Sequence, residues 1–241
     1  MRIFIFIVII FFVSSVYGQT KKMSTIPIYT NYKNEIDTSL WFKWKHDLAK
    51  QINLQDLQTS TDTFHFRFWT DIQAIDIWTI DHSMYFGLIT NYAQQYDNIL
   101  LSKGIYTIGK VYSNQFIIDS SKARHLFNII EKLSVVAIAN DDKIKDWQQG
   151  FDGEEFLIET STPKLYNFKT YWTPRIFADT LSEAKQIQTF INYLYKDFKI
   201  YGYYEKLKLP EGNYRRNGIQ GIKIKAINQE IKGGSTITDL L

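Results

Sequence analysis

The chain contains no cysteine. That excludes disulfides, thiolate nucleophiles, cysteine-ligated zinc and a lipid-modified cysteine at an export cleavage site. Stability must therefore come from packing, and 241 residues suffice for a sizeable core. Long apolar runs are missing too. The longest, Ile3 to Val13, falls short of the roughly 18 to 20 residues that span a bilayer. Nor does one sign of charge dominate, because 28 basic and 25 acidic residues are interspersed along the chain. A nucleic-acid partner, which needs a concentrated basic face, is excluded on that ground. The usual catalytic templates are also absent. There is no G-x-S-x-G, and the glycine pair Gly233-Gly234 lacks the Lys-Ser or Lys-Thr of a phosphate loop. His46, His65, His82 and His125 stand far apart without metal-ligand spacing. No cofactor and no metal are expected.

What is present begins with Arg2, the apolar run, and Ser14-Ser15-Val16-Tyr17-Gly18 ahead of a polar chain. This has the layout of a secretory signal peptide cut between Gly18 and Gln19. The expected address is periplasmic or extracellular, with no stable membrane anchor after cleavage. The alternative is an uncleaved N-terminal anchor, which local thinning of the bilayer would accommodate. Loss of Arg2 takes the 28 basic residues to 27 against 25 acidic, a net charge of +2. Neither a repeat nor a low-complexity linker divides the remainder. The expected organisation is a signal peptide over 1–18, an extended leader over 19–34, one domain over 35–231 and a flexible tail over 232–241.

Periodicity supplies the elements. Leu40, Trp44, Leu48 and Ile52 recur every four residues behind Asp37, Thr38 and Ser39, which predicts a helix. From Thr63 to Thr70 the pattern is strict alternation, with Phe64, Phe66 and Phe68 opposite His65, Arg67 and Trp69. Further strands are predicted over 74–80, 85–91 and 105–112, with turns at Asp81-His82-Ser83 and Ser102-Lys103-Gly104. A covering helix is begun by Asp119, Ser120 or Ser121, with Ala123, Leu126, Phe127, Ile130 and Leu133 on one face. A second hairpin pairs 154–160 with 165–172 and is stopped by Pro174. Thr180-Leu181-Ser182-Glu183 reads as a capping box before the stripe Ala184, Ile187, Ile191, Leu194 and Phe198. Ile222 and Ile224 against Lys223 and Lys225 mark a last, half-exposed strand. The expected fold class is α+β: an antiparallel sheet, meander plus hairpin, covered by two or three helices in a single domain.

Trp147 followed by Gly150-Phe151-Asp152-Gly153, the strand Phe156-Leu157-Ile158-Glu159, and then Tyr166, Tyr171, Trp172 and Pro174 form a recognisable hairpin. It resembles one in families of uncharacterised exported bacterial proteins. Phe66-Arg67-Phe68-Trp69 ahead of Ile75-Asp76-Ile77-Trp78 is similar to their early strands. The resemblance implies an architecture and an exported address, and carries over no catalytic residue.

Aromatic residues make up 16% of the chain, and most are expected in the core. The exceptions considered are Trp69 and Trp78, which share a sheet face with Arg67 and Asp76. Indoles that stack on a ligand's apolar face, beside charges that make directional hydrogen bonds, would grip a glycan, a peptide or an envelope protein. The competing arrangement is an Arg67–Asp76 cross-strand pair with the tryptophans buried. The leading expectation is a non-catalytic binding module. The alternative is a carbohydrate-active hydrolase, whose paired carboxylates would be drawn from Asp76, Asp152, Glu155 and Glu159. Glu155 and Glu159 share a strand face but lie about 13 Å apart at ordinary rise, too far for a direct pair.

Overall fold

The computed structural model describes residues 22–30, 36–96, 108–150, 152–215 and 221–224. The expected signal peptide with its Gly18–Gln19 cut, the expected turn at Ser102-Lys103-Gly104 and the expected tail over 232–241 lie outside the described residues.

The strict alternation after Thr63 becomes β4 (Phe64–Trp69), which the Thr70–Ile72 turn joins to β5 (Gln73–Thr79). β6 (Tyr85–Tyr96) and β7 (Ile108–Ile118) continue the antiparallel meander, and both are longer than their periodicity indicates. The hairpin of β8 (Glu155–Ser161) and β9 (Leu165–Trp172) then pairs back onto the free side of β4. The described part of the expected leader, residues 22–30, is extended, and part of it joins the sheet. Its residues Met23–Thr25 form β1, which adds parallel to β9 and makes the sheet mixed. Lys22 anchors this start by donating to the carbonyls of Leu57 and Ser60 and to Ser161 Oγ. β10 (Gly212–Arg215), which short length hides from periodicity, takes over the β5 side of β6 at Gln94 and Gln95 and carries β11 (Gly221–Ile224). Among the described residues the sheet has nine strands in the order β1-β9-β8-β4-β5-β6-β10-β11, with β7 on the far side of β6. β2 (Ile28–Thr30) and β3 (Ile36–Thr38) pair separately.

Five helices, rather than the two or three expected, accompany these strands among the described residues. They are α1 (Leu40–Gln51), α2 (Ser120–Lys132), α3 (Pro174–Phe177), α4 (Ser182–Asn192) and α5 (Tyr201–Tyr204). Both faces of the sheet are covered. On one, Phe64, Phe66, Phe68, Ile75, Ile77 and Ile158 pack under Ala123, Leu126 and Ile130 of α2 and Ala184, Ile187 and Phe190 of α4. On the other, Trp69, Ala74, Tyr92, Leu157, Tyr166 and Phe168 pack under Leu48, Ala49 and Ile52. Leu40, first of the expected stripe, is 70% exposed and takes no part in that cluster. Helix starts divide. Asp119 caps α2 by accepting from Lys122 N at 2.9 Å. The capping box before α4 does not form: Leu181 is the N-cap residue, and Thr180 Oγ1 donates back to Phe177 O. Ser39 likewise precedes α1 without a side-chain cap. Among the described residues no helix is long and apolar enough to cross a membrane.

Candidate functional site

Register lines up side chains on the α1 face in rows that cross the strands. His65, Trp78 and Phe86 are direct cross-strand partners, and their rings stack at 5.5 Å and 5.6 Å with interplanar angles of 18° and 20°. The next row runs Glu159, Arg67, Asp76, Leu88, Ile117 over five strands. Its burial falls in one direction. Arg67 and Asp76 are 1% exposed, Leu88 is half-buried and Ile117 is 86% exposed. Among the described residues α1 thus covers this face over β8, β4, β5 and the Tyr92 end of β6, and leaves it open around Phe86, Leu88 and Ile117.

The covered part is a buried polar network. Arg67 Nε donates to Asp76 Oδ1 at 2.7 Å, and an Arg67 NH2 donates to the carbonyl of Gln55. His65 places its ring nitrogens 2.8 Å from Asp76 Oδ1 and 2.9 Å from Asp62 Oδ2. Burial opposes charge on this ring, but the two carboxylates outweigh it and raise the imidazole above its ordinary value. Burial works against ionised Asp76 in the same way, and Arg67 and His65 hold its carboxyl below the usual range. Glu159 accepts from Trp69 Nε1 at 2.5 Å and from the Tyr166 hydroxyl at 2.7 Å, with Arg67 at 3.6 Å. Lys45 of α1 is buried beside these residues. It donates to Tyr92 and Thr70 O and lies about 5 Å from the Trp69, Trp44 and Tyr92 rings. Burial pushes it down to about 7.

Arg67, Trp69, Asp76 and Trp78 are therefore brought together, but not as one accessible surface. Trp69 is fully buried and Arg67 pairs with Asp76 across the strands through Oδ1, as in the cross-strand alternative. Asp76 Oδ2 is buried without a hydrogen-bond partner among the described residues. Trp78, which that alternative would bury, is half-buried and reaches the open half. Phe86, Leu88 and Ile117 extend that half and escaped detection. Tyr85-Phe86-Gly87-Leu88-Ile89 is an almost continuous apolar run, so period two cannot assign its faces. The Asp81-His82-Ser83 turn, counted outward, is the signal that would have paired Trp78 with Phe86.

The carboxylates of the alternative reading separate. Asp152 sits exposed in the turn before β8, and Glu159 is held in the network above. Glu155 lines a small cleft with Thr70, Asp71, Ile72, Glu154, Tyr195 and Tyr201. Burial, reinforced by the charges of Asp141 and Asp71, pushes its carboxyl up to about 8. A proton is held there at neutral pH, which suits a general acid. No protein-family model, curated protein or solved structure matches the chain.

Proposed function

We propose that the protein is a non-catalytic binding module that engages a polypeptide through the open half of the α1 face: Trp78, Phe86, Leu88 and Ile117. The supporting observation is the burial gradient along the Glu159–Ile117 row, which leaves aliphatic and aromatic groups accessible and encloses the charged ones. A glycan site needs directional polar groups around its stacking rings. Here Arg67 and Asp76 are engaged with each other beneath α1, so the exposed chemistry suits apolar side chains instead. A peptide-display selection on the purified protein should enrich apolar and aromatic residues. Leu88→Asp, at a half-buried position, should weaken the selected peptides at least tenfold with the fold retained. Saturable glycan binding with no peptide enrichment overturns the reading.

The second reading, a carbohydrate-active hydrolase, rests on the protonated Glu155 in its cleft. It requires turnover of some glycan that Glu155→Gln abolishes while thermal stability is kept. Binding without turnover excludes it.

A further inference from the structure

The sheet ends in two different ways. One side is closed by β1, a strand of 3 residues, and the β10–β11 extension ends in a strand of 4. The other side ends in β7, which has 11 residues, no proline and a single charge, Lys110. Sheet edges are normally blunted by shortness, charge, proline or a cover. β7 pairs only with β6 among the described residues. The direction of its free hydrogen-bonding groups follows from the ladder. Tyr92 N donates to Ile72 O on the β5 side, so Tyr92 and its partner Ser113 form a pair that exchanges no hydrogen bonds. Ser113 therefore points its N–H and C=O outward, and by alternation so do Val111, Gln115 and Ile117.

We propose that this edge pairs antiparallel with β7 of a second copy, about a two-fold axis at Ser113. The occupant follows from self-complementarity. With the strand ends flush, Ser113 faces its own copy and Val111 faces the second copy's Gln115, which gives about six backbone hydrogen bonds. Ile117 comes opposite the second copy's Gly109, which has no side chain to obstruct it. Lys110 comes opposite Phe116 and several residues from its own counterpart, so the two Lys110 side chains do not meet, and among the described residues the one cation already near that ring is Lys206 at 5.1 Å. A C2 interface of this kind uses the same patch on both subunits. It joins the two open faces into one surface but does not depend on what those faces bind.

Sedimentation velocity of the purified protein between about 1 and 100 µM should show the mass doubling with concentration. Ser113→Pro removes an outward N–H without touching the β6 ladder, and should stay monomeric with an unchanged far-ultraviolet spectrum. Because the chain has no cysteine, Ser113→Cys is a clean reporter. The Cα atoms of such a pair lie about 5.5 Å apart, within disulfide range, so oxidation should cross-link it, whereas Gly109→Cys should not react. Leu88→Asp, which tests peptide binding, should leave the dimer intact. A monomer at every concentration, a dimer that survives Ser113→Pro, or cross-linking through Gly109→Cys alone overturns the proposal. Should Ser113→Pro fail to fold, the cross-link decides.

Discussion

Arg67 shows how much a single buried residue depends on its neighbours. Its guanidinium lies against Asp76 and Glu159 and donates to the Gln55 carbonyl, so each carboxylate is enclosed with a cation beside it. Arg67→Met leaves both acids without that cation and should cost about 3 to 5 kcal/mol, measured by urea denaturation. A loss below about 1 kcal/mol would mean that His65 alone compensates Asp76. Thr90 predicts the opposite sign. Its hydroxyl is buried without a hydrogen-bond partner among the described residues, so Thr90→Val should be neutral or stabilising. A drop of 1 kcal/mol or more in the same assay would show that the hydroxyl is bonded. The alternation at His65, Arg67 and Trp69 was legible because a strand has period two. That all three would be buried was not. Burial depends on α1, which approaches from outside that strand, and on Glu159, which lies 90 residues from Trp69 in sequence.

Elements were legible wherever the local pattern is long. α2 has both its cap and its stripe in consecutive residues, and Asp119→Ala should cost about 1 kcal/mol. The box before α4 had equal sequence support but is not formed. The chain leaves α3 tightly there, with the Leu181 N–H donating to Phe177 O, and the Thr180 hydroxyl turns back to the same carbonyl. Thr180→Ala should therefore shift the melting temperature far less than Asp119→Ala, and an equal shift would restore the box. In β6, Gly87 faces Ile118 and Ile77. A Cβ added there would sit 2.8 Å from Ile118 Cβ, so Gly87→Ala should destabilise by about 1 to 3 kcal/mol through overpacking, measured by thermal unfolding. The short strands β1 and β10 carry no periodic signal of their own, since three or four residues become strands only when a sheet edge is there to receive them.

For the whole molecule, the enclosed titratable groups shape stability against pH. Asp62 and Asp76 sit below their ordinary values, so their contribution is present above about pH 4 and is lost as pH falls through the lowered values. Glu155 has the opposite sign. Raised from 4.5 to about 8, it keeps a proton that the unfolded chain has released, so stability falls as pH rises between those values. His65, also raised, contributes below its unfolded value and adds to this decline as pH passes its folded one. Lys45, lowered to about 7, restores stability from there toward its unfolded value near 10.5. Glu155→Gln should match the parent near pH 4 and exceed it at pH 8, and parallel pH curves would show that Glu155 is ionised in the fold. From the sequence alone came the α+β class, the absence of disulfides, the antiparallel meander and hairpin, and the apolar stripes of α1, α2 and α4, because these follow from side-chain spacing over a few residues. Exposed Leu40 is an exception, as are Leu194 and Phe198, which follow the end of α4. Tertiary structure alone decided that β1 joins parallel, that one sheet face is roofed at Arg67 and Trp69 but open at Leu88 and Ile117 among the described residues, and that β7 pairs there on one side only. Those features depend on which distant segments meet, and the free energy of such meetings is a sum over long-range contacts that no local pattern records.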